Sequence, residues 1–173
     1  MFGKKILLMM VFAVLFGGAM AQDADYVGAM KCKMCHNKPA IGEQYKKWLE
    51  GPHANALKSL SSEKALAYAK EHGIADPAKE ESCLKCHSTY AQIDQDHNIG
   101  VKPTEGVSCE SCHGAGSKYK TNSIMKNREK AIAAGLIIPD AKTCEGCHNE
   151  DNPFHKPFNY DEYYKKIAHE IPE

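Results

Sequence analysis

Cys32-Lys33-Met34-Cys35-His36 is the first of four short signatures that govern how this chain is built. Cys83-Leu84-Lys85-Cys86-His87, Cys109-Glu110-Ser111-Cys112-His113 and Cys144-Glu145-Gly146-Cys147-His148 repeat it. All eight cysteines of the 173-residue chain fall into these pairs, each with two residues between the thiols and a histidine directly after. With nine histidines in the chain, chance would put one after a given pair about one time in twenty, so four from four is a chemical signal.

C-x-x-C-H is the attachment signature of c-type haem. Two thiols on one tight helical turn reach the two vinyl groups of a single porphyrin, and the next residue then lies under the ring with its imidazole on the iron. Cys32, Cys35, Cys83, Cys86, Cys109, Cys112, Cys144 and Cys147 are therefore the expected thioether positions, and His36, His87, His113 and His148 the expected proximal ligands. Disulfides need no histidine. Structural zinc draws four ligands from paired C-x-x-C units, and it too gives no reason for a histidine at each fifth position.

Residues 1–21 carry Lys4 and Lys5, an apolar run from Ile6 to Phe16, and an Ala19-Met20-Ala21 close. That is the pattern of a cleaved export signal, and the run is shorter than the ~20 residues a bilayer span requires. No cysteine follows it to take a lipid. The expected mature unit is a single tetrahaem domain, 22–173, in the periplasm or outside the cell, with no further membrane span. Its 20 basic and 22 acidic side chains argue against nucleic-acid binding, which draws on a basic excess. Two propionates and a singly positive ferric centre per haem bring the expected holoprotein to about −6, an acidic surface that steers toward basic patches on partners. About 38 residues per haem is too few for a side-chain core around each, so the macrocycles must form the core themselves.

The motif starts are 51, 26 and 35 residues apart, which excludes a regular solenoid repeat. Helical signals are short. Pro39 suits a first turn and 40–50 runs to a stop at Gly51-Pro52. A stretch over 54–72, broken near Ser61-Ser62, ends at Gly73. Asp76-Pro77 reads as the cap and first turn of a helix leading into the second motif. Residues 88–106 read as loop with at most a short hairpin. Ser123 is the expected cap of a helix through Ala134, and Asn159 or Asp161 that of a last helix ending near His169. The strand signal is weak throughout, so the expected fold is mostly α, with long irregular connections, compacted around four covalent haems.

Five histidines remain for the far side of the irons, His53, His72, His97, His155 and His169, along with Met30, Met34 and Met125 of the mature chain. Gly106-Val107-Ser108-Cys109-Glu110-Ser111-Cys112-His113-Gly114, following Trp48-x4-His53-Ala54, resembles the tetrahaem cytochrome c-554 family (the cytochrome c-552/4 domain). The resemblance extends over nearly the whole mature chain. It implies a mainly helical fold with closely paired haems and an electron-carrying role in the periplasm, the best-known type accepting electrons from hydroxylamine oxidoreductase. It also implies that His53 is the distal ligand of the haem on the third motif and His169 of the haem on the fourth. The family's distal histidine for the first haem falls here near Thr121, where no histidine stands; Met125 is the nearby candidate, and such a His/Met pair would raise that potential. The family leaves the second haem without a sixth protein ligand, and His97, in the polar loop before the third motif, is the first candidate to close it, ahead of His72 and His155.

The chain thus reads as an electron carrier working between unidentified redox proteins, with no dedicated catalytic residues. Gly114-Ala115-Gly116 is a lone small-residue turn beside a porphyrin face. Two alternatives stand: a small reductase of nitrogen oxides or peroxide at a five-coordinate haem, and a self-associating subunit of an extracellular haem filament. No C-x-x-C-K motif is present, which excludes a lysine-ligated active haem.

Overall fold

Each signature folds as a helical turn, and the rest of the chain is arranged to bring those turns together. The computed structural model describes residues 23–169 with 171 and 172; the export segment read at 1–21 lies outside the described residues. Eleven α-helices occur among them: α1 (Ala29–His36), α2 (Gln44–Glu50), α3 (Ala56–Ser59), α4 (Glu63–Glu71), α5 (Glu81–His87), α6 (Thr89–Gln92), α7 (Cys109–His113), α8 (Asn122–Met125), α9 (Arg128–Ala133), α10 (Ala141–Glu145) and α11 (Tyr160–Ile167). Helices α1, α5 and α7 carry whole motifs. The fourth begins on α10, and the Cys147 and His148 N–H groups continue its turn onto the Cys144 carbonyl. No strand forms among the described residues, only an isolated parallel bridge between Tyr26 and Asn98. None of these helices is long and apolar enough to cross a membrane.

Short polar caps set several boundaries. Ser62 accepts the Ala65 N–H and starts α4 after the break foreseen at Ser61-Ser62. Asn159 accepts the Glu162 N–H and starts α11. Asp140 and Thr143 form a reciprocal capping box on α10. Three expectations are corrected. Asp76-Pro77 forms a local turn, with the Lys79 N–H on the Asp76 carbonyl, and α5 starts only after Glu80. Residues 88–106 contain α6, capped by Ser88, and a 3-10 turn at Gln95–His97 capped by Asp94. The helix expected from Ser123 is two, since Asn127 caps α9 afresh through the Lys130 N–H, and α8 starts after Thr121.

Among the described residues the buried apolar side chains are few and mostly small: Val27, Ala29, Tyr45, Leu60, Ala69, Val101, Tyr119 and Ala131. A chain of this length usually owes its stability to a larger side-chain core. What ties the segments together instead is a polar hub around 106–116. Glu110, 2% exposed, accepts the N–H groups of Val27, Gly28 and Gly116 at 2.7–3.1 Å. Burial pushes its pKa up, against the opposing pull of those three donors. Thr89 joins the same hub, its N–H on the Gly106 carbonyl and its hydroxyl accepting the Ser108 N–H. Trp48 donates its indole N–H to the Val107 carbonyl at 2.8 Å, and the Val107 N–H reaches the His53 carbonyl at 2.9 Å. The third motif is thereby bonded to the N-terminal segment, the His53 turn and α6 at once.

Candidate metal centres

An imidazole that binds a metal through Nε2 needs a partner for Nδ1–H, which fixes tautomer and ring orientation. Three motif histidines have one. His87 Nδ1 lies 2.7 Å from the Ala56 carbonyl, His113 Nδ1 3.0 Å from the Ile137 carbonyl, and His36 Nδ1 3.3 Å from Gln44 Oε1. His148 is held by aromatic rings, stacked on Phe158 at 5.1 Å and edge-on to Tyr163 at 5.7 Å. None of these supporting groups was foreseen. Backbone carbonyls leave no mark on a sequence, Gln44 and Tyr163 stand in ordinary helices, and Phe158 lies in the irregular segment before α11.

The remote histidines come in from other segments. The His53 ring faces that of His148 with centroids 6.1 Å apart and planes at 74°. His169 faces His113 at 5.9 Å and 75°, with its own Nδ1 on the Ile167 carbonyl at 2.8 Å. Two imidazoles on one iron, each with a bond of about 2 Å and its ring centre roughly 1.1 Å beyond the nitrogen, have centroids about 6 Å apart. The donor set therefore fits a six-coordinate haem iron at both places. The assignment differs from the expected one: His53 lies opposite the fourth motif and His169 opposite the third. Burial, then the neighbouring His148, holds the His53 pKa below the ordinary value. Burial does the same to His113 against the pull of the Ile137 carbonyl, and to His148. The neutral imidazole so favoured is the form that binds metal.

The thiols show which motifs are neighbours. Cys32 and Cys109 are close enough to perturb one another's thiols, and so are Cys86 and Cys147, the pKa of Cys147 being pushed up to about 12 by burial first and by Cys86 after it. Burial raises Cys112 as well, and Cys144 adds to the shift. In space the motifs thus run first, third, fourth, second. Among the described residues no three His, Cys, Asp or Glu side chains converge as a shared four-ligand ion such as zinc would need. Ser108 Oγ, buried beside Cys109, has no partner among the described residues, a hydroxyl left for a group the polypeptide does not supply.

The remaining candidates are placed differently. His97 Nδ1 pairs with Asp25 at 3.2 Å and its Nε2 lies 3.8 Å from Asp23. The Asp25 hydrogen bond, foremost, raises its pKa, which favours the protonated form and works against metal ligation. Its two ring nitrogens face carboxylates, not the second motif. His72 stacks on Tyr68 at 3.9 Å with Nδ1 on the Tyr68 carbonyl. His155 is exposed in the turn after the fourth motif, and Met125 closes α8 half-buried.

Gly106 is where the hub meets a remote ligand. A Cβ there would stand 2.5 Å from the His53 carbonyl oxygen and 2.8 Å from that of Ala54, both backbone atoms that cannot rotate aside. Gly106→Ala is therefore expected to displace His53, with a stability loss of about 1–3 kcal/mol. Electron paramagnetic resonance of the holoprotein checks it: a high-spin ferric fraction should grow at a single centre, and an unchanged spectrum would refute the displacement.

A family model described as cytochrome c554 and c-prime matches residues 31–114, a span that holds three of the motifs and His53. Cytochrome c-554 of Nitrosomonas europaea is 33% identical over 155 residues, an alignment covering 80% of this chain and 63% of that protein. The chain thus spans less than two-thirds of the length of this curated relative. No solved structure matches it. Taken with the four C-x-x-C-H turns and the imidazoles facing two of them, these matches show that the chain belongs to the cytochrome c-554 family.

Proposed function

We propose that the chain is an exported c-type cytochrome, one domain over 22–173, that attaches four haems and carries single electrons between redox proteins. Bound haem would supply an iron that gains or loses one electron with little change of geometry. The polypeptide's part is to hold that iron rigidly. The observation that carries the reading is the pair of remote imidazoles, His53 and His169, each about 6 Å centre to centre from a motif histidine. Ligands gripped from both sides, with Nδ1 anchored at His113 and His169, favour a six-coordinate centre that neither opens nor rearranges.

The first test is cofactor count. The exported polypeptide should gain four units of about 616 Da, one per motif, and reductive titration should consume four electrons. A chain without covalent additions refutes the reading. Oxidised holoprotein should show at least two low-spin centres, those at His113 and His148. A predominantly high-spin spectrum that shifts with cyanide or nitric oxide would favour the reductase alternative, and sedimentation as long assemblies the filament.

A further inference from the structure

The back of the first motif helix presents an apolar, basic face turned away from that motif's own thiols and imidazole. At 100° per residue, Cys32, Cys35 and His36 share one side of α1, while Met30 and Met34 share the opposite side, one turn apart. Met34 is 71% and Met30 53% exposed. They border a shallow depression of about 400 Å³ that Lys33, Asn37 and Lys38 complete. Tyr45 supports it from below, its hydroxyl 3.5 Å from the Met30 sulfur and its ring 5.2 Å beneath the Lys33 ammonium.

Charge gives this face a sign. Residues 29–42 hold Lys31, Lys33 and Lys38 and no carboxylate, whereas the fourth motif stands among Asp140, Glu145, Glu150 and Asp151. Of the carboxylates near α1, Glu105 accepts the N–H groups of Ala29 and Lys102, and Glu43 pairs with Lys46 at 3.6 Å. A flexible methionine centre with a lysine rim is the composition of an adaptable protein-binding surface. The first motif is also one end of the spatial order of motifs, and the face lies one helix width, about 10 Å, from the thiols on the other side of α1.

We propose that the Met30–Met34 face of α1 is the docking surface for an acidic redox partner, an electron-transfer protein whose carboxylates surround an apolar contact. The proposal rests on the electron-carrier reading and runs against the net negative charge expected of the holoprotein. A partner drawn by net charge alone would be basic; one drawn by this face is acidic.

The test uses holoprotein and two reductants: flavodoxin hydroquinone, an acidic one-electron donor protein, and reduced methyl viologen, a small molecule that needs no docking surface. In the double variant Lys33→Glu/Lys38→Glu the rate from flavodoxin should fall about tenfold at low ionic strength and lose its salt dependence. Met34→Asp should also slow it. The exposed control pair Lys58→Glu/Lys70→Glu should leave it unchanged, and viologen should reduce all proteins at similar rates. Equal slowing in the control pair, or none in either, overturns the proposal while the carrier reading stands. Failure of viologen to reduce the unaltered holoprotein removes the carrier reading itself. Sedimentation as a dimer that Met34→Asp splits into monomers would show that the face covers a second copy of this chain, and also overturns the proposal.

Discussion

Glu110→Leu is expected to destabilise the holoprotein by about 3–5 kcal/mol, the largest loss we assign to any single side chain other than the motif cysteines and histidines. The carboxylate is buried at the centre of the hub, and its two oxygens satisfy the Val27, Gly28 and Gly116 N–H groups. Leucine fills the volume and leaves three buried donors without acceptors, each costing about 1–3 kcal/mol unless water enters. Water entry is hindered at Gly116, whose Cα is packed so closely that a Cβ would lie 3.0 Å from both the Val27 side chain and the Glu110 carboxylate. Glu110→Gln should lose less. It keeps one acceptor and avoids the burial cost that raises the carboxyl pKa, but it turns an NH₂ toward backbone donors. Thermal unfolding followed by circular dichroism should rank native above Gln above Leu. Both variants melting with the native protein would mean that the hub does not hold the N-terminal segment.

Glu110 also marks what sequence reasoning could not see. It occupies a variable position of the third motif and looks like any solvated glutamate; only its burial against a segment some 80 residues earlier gives it a role. The four motif turns were legible because haem capture demands thiols and imidazole on one helical face. So were the stop at Gly51-Pro52 and the break at Ser61-Ser62, where local backbone chemistry decides. Helix α6 was not, because four residues have no periodicity; a Ser88 cap and a tertiary bond from Thr89 to Gly106 hold it. Asn127 splits the helix expected from Ser123 because its side chain satisfies the Lys130 N–H more locally than a continuing helix would. His53 and His169 were identified as candidates, yet their partners were exchanged. Which of two motifs a remote histidine faces depends on the path of the whole chain, and no spacing rule carries that information.

That exchange leads to the second large effect. Removing His53 should convert one centre from low to high spin, and removing His169 should convert another, because each iron would lose the imidazole held opposite its motif histidine. The pairing itself is read by combining each change with loss of a single attachment site. In Cys144→Ser/Cys147→Ser the fourth motif no longer captures haem, and mass spectrometry should count three additions. On that background His53→Ala should create no new high-spin centre, since the iron it faces is gone, while His169→Ala should still create one at the third motif. In Cys109→Ser/Cys112→Ser the two outcomes should reverse. If instead His53→Ala is silent only when the third motif is disabled, the imidazoles are crossed relative to this structure, and the 6.1 and 5.9 Å ring pairs are not ligand pairs. The comparison is internally controlled, because each substitution is silent on one background and visible on the other, and general misfolding would make it visible on both.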